Sequence, residues 1–189
     1  MDPVTKQHAD NLHSKDANLR YESFQYLIIL TKRPVDWAYD VWDDLLLILH
    51  KGDNHQRTIA VQLLSSLAKS DPENRMQKDL DKLMEVTKDE KFVTARHSLQ
   101  SLWKVAVTNK PLQQMVTGRL AKRYKDCIAE KNCTLIRYDI IEVFRKIYDE
   151  VHDEKIKEKA NELIAVEEDI RYRKKYTGLW KDILRAEKK

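Results

Sequence analysis

An internal repeat constrains the fold of this chain more than any other feature. Four arginines, Arg20, Arg57, Arg96 and Arg137, are separated by 37, 39 and 41 residues. After each arginine, mostly apolar residues occupy the third, sixth and seventh positions, which is the spacing of one face of an α-helix. Self-similarity at this period is typical of stacked helical units. We therefore predict that each arginine lies near the start of the first helix of a repeating unit.

The prolines follow the same period. Pro34, Pro72 and Pro111 come 14 or 15 residues after the first three arginines. Proline is favoured at the first position of a helix, where its missing N–H leaves no hydrogen bond unmade. We therefore predict that each proline starts the second helix of its unit. Asp71 and Asn109 are the candidate N-caps of two of these helices.

The repeat divides the chain into helical hairpins within one all-α domain that spans residues 1–189. The predicted hairpins cover residues 14–52, 53–90, 91–130 and 131–169, and a terminal capping helix covers 170–187. Gly52 is the expected C-cap of the first hairpin. Three glycines in the whole chain are too few for the tight turns of an all-β sandwich or barrel.

Paired helices with this period, the opening from Asp53 to Arg57 and the apolar pattern after each arginine resemble the HEAT and armadillo class of α-solenoids. The resemblance covers the four units. It implies that the first helices line a convex side and that the second helices line a concave side, which is the usual binding surface of the class. The alternative is that the four hairpins pack as a compact helical bundle.

The sequence contains no catalytic motif. There is no His-Glu-x-x-His pair, no Cys-x-x-Cys and no glycine-rich phosphate loop. The six histidines are scattered, and none shares metal-ligand spacing with a second histidine and a carboxylate on one helix face. We therefore predict no catalytic residue, no metal, no cofactor and no small-molecule substrate.

Two cysteines and the absence of a long apolar run bear on the compartment. Cys127 and Cys133 form no disulfide framework, so we predict two reduced thiols in the core of a cytoplasmic protein, with a redox pair as the alternative. The longest aliphatic stretch, Leu45 to Leu49, is far too short to span a membrane.

An acidic stripe is predicted on the second helix of the first unit. Asp36, Asp40, Asp43 and Asp44 fall within an arc of about 100° at helical spacing. Acidic residues early in a helix are favoured by the helix dipole, which is one explanation. Like charges on one face also repel each other, so a cationic partner is the second explanation.

A basic patch is predicted on the second helix of the third unit. Residues 1–94 carry 13 basic and 16 acidic side chains, whereas residues 95–189 carry 22 and 15. No acidic residue occurs between Lys91 and Lys125. The candidate binding residues in this run are Arg119, Lys122, Arg123 and Lys125. A second basic group with interleaved tyrosines covers residues 171–176. Both groups are also compatible with an ordinary solvated surface.

These features predict a non-enzymatic module that binds a macromolecule through its second helices. The partner expected first is another protein, or a second copy bound head to tail. The alternative is nucleic acid, because basic clusters with aromatic neighbours are typical of nucleic-acid binding. Some DNA alkylation-repair glycosylases are built from similar HEAT-like repeats, with tryptophans and an aspartate in a basic cleft, although no motif matches residue by residue. The corresponding candidates here would be Trp37, Trp42, Asp40, Asp43 and Asp44, with Arg119 and Arg123 for phosphates.

Overall fold

The computed structural model describes residues 1–186, with side chains to residue 183, and this part of the chain is all-helical. The predicted all-α class is therefore confirmed. The α-helices are α1 (Pro3–Asn11), α2 (Ala17–Leu30), α3 (Ala38–Lys51), α4 (Asn54–Leu67), α5 (Arg75–Val86), α6 (Phe92–Ser101), α7 (Trp103–Ala106), α8 (Lys110–Asp126), α9 (Cys133–Val151), α10 (Glu154–Ala165), α11 (Ile170–Gly178) and α12 (Lys181–Ala186). Short 3-10 turns follow α4 at Ala68–Ser70 and α8 at Cys127–Ala129.

The four repeated arginines lie where the repeat predicts. Each is the fourth or fifth residue of a first helix, and these first helices are α2, α4, α6 and α9. These helices pack in series, α2 on α4, α4 on α6 and α6 on α9, and α11 packs on α9. The second helices also contact one another in series, from α3 through α5 and α8 to α10. Successive units are therefore in contact along two rows.

Each repeated arginine binds a carboxylate that comes 30 to 43 residues later in the chain, and we call these contacts the arginine ties. The four ties are Arg20 to Asp53 (3.4 Å), Arg57 to Asp89 (2.6 Å), Arg96 to Asp139 (2.7 and 2.8 Å) and Arg137 to Glu167 (3.0 Å). Asp139 is fully buried. Arg96 of the third unit thus bonds to Asp139 of the fourth unit.

Gly52 ends α3 and allows a tight connection to α4. Its N–H donates to the carbonyl of Ile48 at 2.8 Å. A Cβ at this position would lie 2.6 Å from the same carbonyl oxygen and 2.8 Å from Cβ of Gln56. Asp53 then caps α4 in a capping box with Gln56. The predicted C-cap is thus confirmed, and α3 packs more extensively on α4 than on α2, its predicted hairpin partner.

Two of the three prolines do not start helices, which corrects the prediction. Pro34 and Pro72 lie in the loops before α3 and α5, and Asn74, in a left-handed conformation, precedes the first residue of α5. Asp71 still serves α5, because its carboxylate accepts from the N–H groups of Arg75 and Met76. Pro111 does lie in the first turn of α8, which Asn109 caps as predicted.

Two predicted helices are broken. The first helix of the third unit is interrupted at Leu102, where bonds between residues three apart replace the α-helical pattern. A turn divides the terminal helix predicted over 170–187 into α11 and α12. In this turn the N–H of Trp180 donates to the Thr177 carbonyl. Residue 187 lies outside the described residues.

The core runs through both rows of helices as one cluster of buried apolar side chains, from Ala9 to Trp180. Its largest fully buried members include Trp42, Tyr124, Phe144 and Trp180.

The two cysteines are joined in a disulfide, which corrects the prediction of reduced thiols. Cys127 is the first residue of the 3-10 turn after α8, and Cys133 is the first residue of α9. Their Cα atoms are 5.2 Å apart. The short connection returns the chain on itself and brings two cysteines six residues apart together, which helical periodicity alone does not reveal. The predicted cytoplasmic location rested in part on reduced thiols. It loses that support, because disulfides persist in oxidising compartments.

Candidate functional site

An open apolar groove of about 610 Å³ lies between the second helices α3 and α5. Leu46, Leu47 and Leu49 line it from α3, and Val86 lines it from α5. The buried face of α3 is already supplied by Val41, Trp42, Leu45, Ile48 and Leu49. Leu47 lies outside that face and is 47% exposed. An exposed leucine inside an apolar depression marks a surface that can bind another apolar group.

A hydrogen-bond network centred on the buried Asp79 links the two helices of the groove. The indole Nε1 of Trp42 donates to Oδ2 of Asp79 at 2.9 Å. Lys82 donates to the other carboxylate oxygen of Asp79 at 2.7 Å. Asp79 is only 7% exposed, so its charge is satisfied by these partners rather than by water. The network therefore fixes α5 against α3.

One arginine tie forms part of the rim of the groove. Arg57 donates from Nε to Asp89 at 2.6 Å and from Nη1 to the Gly52 carbonyl at 2.9 Å. The hydrogen bond with Asp89 raises the pKa of Arg57. Burial acts to raise the pKa of Asp89, but the hydrogen bonds from Arg57 and from the Lys91 N–H outweigh it and lower that pKa. Both groups therefore stay ionised, and the rim is electrostatically balanced at this point.

The acidic stripe is divided among different environments. Asp36 is exposed and precedes α3 rather than lying on it. Asp40 lies 3.4 Å from the amino group of Met1, and Asp44 contacts His13 at 2.8 Å. Asp43 pairs with Arg75 of α5. Three of the four carboxylates therefore have partners within the chain, which relieves their mutual repulsion.

Arg75 also contacts two aromatic rings. Its guanidinium carbon lies 5.2 Å from the ring centre of Tyr39 and 5.6 Å from that of Trp42. This cation–π arrangement positions Arg75 for its contact with Asp43.

The basic patch is likewise engaged within the fold. Arg119 donates to Asp81 at 2.6 Å, and Lys122 pairs with Asp126 one helical turn away at 2.8 Å. Arg123 is 4% exposed, binds Glu130 through both terminal nitrogens and donates to the Thr87 carbonyl. Lys125 is exposed. Only part of the predicted patch is therefore accessible to a ligand.

Ion pairs link neighbouring second helices along their row. Asp43 of α3 pairs with Arg75 of α5, and Asp81 of α5 pairs with Arg119 of α8. The next link joins Lys110 of α8 to Asp153, the N-cap of α10. The acidic stripe and the basic patch are thus not brought together directly, because α5 lies between them and pairs with both.

The partners in this row are 32 to 43 residues apart. That spacing is close to the repeat period, so a search for opposite charges one period apart could have found them. The groove residues Leu46, Leu47 and Val86 were also missed. For the two leucines, the signal is the continuous apolar run over residues 45–49, which is wider than one buried helix face requires.

Within residues 1–186, no three His, Cys, Asp or Glu side chains form a group that could hold a metal ion. Nor is any helix in this part long and apolar enough to cross a membrane. A scan against protein-family models finds no match, and a search of curated proteins finds no similar sequence.

Proposed function

We propose that this chain is a non-enzymatic binding module that recognises another protein through its row of second helices. The observation that carries the proposal is the apolar groove between α3 and α5, with the exposed side chain of Leu47 in it. The groove lies on the row that a HEAT-like solenoid would use for binding. Its volume is sufficient for a few side chains of a partner segment.

The proposed architecture is a HEAT-like α-solenoid. Its support is the serial contact of helices in each row and the arginine tie carried by each unit.

The proposed occupant is an apolar segment of a partner protein with polar residues on either side. Four aliphatic side chains line the groove beside six polar or charged ones, and these four gain most from burying other aliphatic or aromatic groups. Around the rim, Asp43, Arg57 and Asp89 have partners within the chain. A strongly charged peptide would have to displace these partners, and a peptide with an apolar centre would not.

The experiment is selection of a random peptide library on the intact protein, followed by affinity measurements on selected peptides. We expect the selected peptides to share apolar residues at their centre. Leu47→Asp should weaken their binding about tenfold or more, because it places an unpaired charge in the apolar groove.

Ile29→Asp is the matched control, since Ile29 is an exposed aliphatic residue on the first-helix row, 56% exposed. Peptides that bind the Ile29→Asp variant normally and the Leu47→Asp variant weakly would support the proposal. Peptides that bind both variants equally, or no enriched peptide at all, would show that the groove is not the binding surface.

Nucleic acid is the less favoured ligand of this row, because Arg119, Lys122 and Arg123 each have a carboxylate partner in the fold. Titration of a labelled DNA duplex at low and near-physiological salt tests it directly. Binding through phosphates would weaken steeply with salt and would be reduced by Lys125→Glu.

A further inference from the structure

A second pocket, of about 540 Å³, lies where the C-terminal ends of α2, α4 and α7 meet. It is distinct from the groove between α3 and α5. Arg57 of the groove rim and Lys69 of this pocket lie twelve residues apart on α4 and its 3-10 extension, which is about 18 Å along a helix. The pocket therefore lies at the C-terminal ends of the first helices, whereas the groove includes Arg57 near the N-terminal end of α4.

Three lysines line this pocket, and none of its lining residues is acidic. They are Lys32, Lys69 and Lys104. Lys104 donates from Nζ to the hydroxyl of Ser66 at 2.8 Å, and Lys69 donates to the Lys32 carbonyl at 3.2 Å. Among the described side chains, no carboxylate lies within ion-pair distance of these three lysines. This differs from the second-helix row, where Arg75, Lys110 and Arg119 each pair with an acidic residue of the neighbouring helix or of its N-cap.

The partial negative charges of the helix ends offset part of the lysine charge but not all of it. Helices α2 and α4 end beside the pocket, and each C-terminal helix end carries about half a negative elementary charge. Two such ends offset about one of the three lysine charges. A net positive charge of about two remains in a partly enclosed space.

The environment of Lys104 shows the energetic consequence of this crowding. Burial lowers the pKa of Lys104, and the positive charges of Lys69 and Lys146 lower it further. Lys146 comes from α9 and has Glu142 as its own partner at 3.6 Å. A bound anion would favour the charged form of Lys104 and reverse part of this effect.

The wall of the pocket is apolar. Trp103 is half-buried, and Ile28 and Val107 extend the same surface. A pocket of this size with a large apolar wall and a few convergent polar groups is typical of a small-molecule site. Lysine ammonium groups are common ligands of phosphate.

We propose that this pocket binds a small phosphate-bearing molecule, whose phosphate lies among the three lysines and whose apolar or aromatic portion packs on Trp103. Ser66 orients the ammonium group of Lys104 toward the ligand. The proposal is independent of the groove and its partner protein, because the two sites share no residue.

Tryptophan fluorescence provides a direct readout of binding. Trp37, Trp42 and Trp180 are buried, so Trp103 is the tryptophan most accessible to a ligand. The probes are inorganic phosphate, phenyl phosphate and adenosine monophosphate, each titrated into the full chain at low salt. Phenol and adenosine are the matched probes without phosphate. We expect saturable quenching by the two phosphate esters, weaker binding of inorganic phosphate and no saturable binding of the neutral probes.

Substitution separates the pocket from general electrostatic attraction. Lys104→Gln and Lys69→Gln should each weaken the phosphate esters by about tenfold or more, since each removes a charge-assisted contact. Lys125→Gln, which removes an exposed positive charge on the other row, should leave affinity unchanged. Trp103→Phe should remove the fluorescence signal, while calorimetry should still detect binding. Circular dichroism of each variant confirms that its helices are retained.

Three results would overturn the proposal. The first is no saturable binding of any phosphate probe. The second is equal loss of binding in the Lys104→Gln and Lys125→Gln variants, which would indicate attraction by net charge alone. The third is tight binding of a single-stranded oligonucleotide without binding of the mononucleotide, which would indicate a surface that follows a phosphate backbone instead of a pocket.

Discussion

Individual side chains of one type have different roles in this molecule, and burial distinguishes them. Arg119 and Arg123 are one helical turn apart on α8. Arg119 is partly exposed and has one carboxylate partner, whereas Arg123 is buried and joins α8 to Thr87 and to Glu130. Sequence spacing places both on a basic face, but only the structure separates the surface cation from the structural one.

Arg123→Ala should lower the free energy of unfolding by about 1–3 kcal/mol, because it leaves the buried Thr87 carbonyl without its partner. Arg119→Ala should lower it by only about 0–1 kcal/mol, as expected for a surface ion pair. Urea denaturation of the two variants measures the difference. Equal effects would contradict the structural role of Arg123.

Two glycines provide a second matched pair. Gly52→Ala should be destabilising, because the new Cβ would lie 2.6 Å from the Ile48 carbonyl oxygen at the connection between α3 and α4. Gly118→Ala, in the interior of α8 with no atom within 4 Å of the new Cβ, should stabilise by about 0.5–1 kcal/mol. Thermal denaturation should therefore move in opposite directions for the two variants. If Gly52→Ala stabilised the chain instead, the close contact between the new Cβ and the Ile48 carbonyl oxygen would not be destabilising, and this explanation would be wrong.

At the scale of the elements, side-chain contacts fix the ends of the chain and the turns between helices. Helix α12 is attached to α9 by Arg145, which binds both carboxylate oxygens of Asp182 at 2.7 and 2.9 Å. The hydrogen bond from Arg145 lowers the pKa of Asp182 to about 2.

This contact predicts a dependence on pH. Because the pKa of Asp182 is lower in the folded chain, its stabilisation is present above the usual aspartate pKa and is lost as the pH falls through about 2. NMR titration of the Asp182 carboxyl should show the low pKa in the native chain and a value near the usual one in Arg145→Gln. An unchanged value in the variant would exclude Arg145 as the cause.

The disulfide between α8 and α9 predicts a dependence on redox conditions. It closes a short loop that contains Glu130, the partner of Arg123. Reduction should lower the free energy of unfolding by about 2 kcal/mol, from the loop entropy that returns to the unfolded chain. Urea denaturation with and without reductant measures the loss. A Cys127→Ala, Cys133→Ala double variant should be insensitive to reductant, and alkylation of the native chain should find no free thiol.

The sequence was sufficient for the elements that depend on local periodicity. The repeated arginines, the cap at Asn109 and the C-cap at Gly52 were predictable, because each follows from spacing or from one residue's backbone preference. The breaks at Leu102 and Gly178, and the loops around Pro34 and Pro72, were not, because packing decides where those helices begin and end. The charge clusters were visible as patterns, but their partners lie in other units and depend on how the units stack.

At the scale of the whole molecule, the two rows of helices predict an elongated particle. A compact bundle of this length would have a radius of gyration of about 16 Å. We expect a larger value by small-angle X-ray scattering at low protein concentration, with light scattering as the check on oligomeric state. A monomeric value near that of the compact bundle would favour the bundle over the proposed solenoid.

The arginine ties have a practical consequence for dividing the chain into fragments. Two ties, Arg20 to Asp53 and Arg96 to Asp139, join successive units, whereas Arg57 and Arg137 bind carboxylates in the loop that ends their own unit. Cuts at different unit boundaries therefore leave different ties incomplete. A fragment that ends at residue 130 would contain Arg96 and lack Asp139, whereas one that ends at residue 90 would keep both of its ties complete. Truncated forms should therefore end after the carboxylate of a complete tie. We expect the fragment that ends at residue 90 to fold more stably than the one that ends at residue 130.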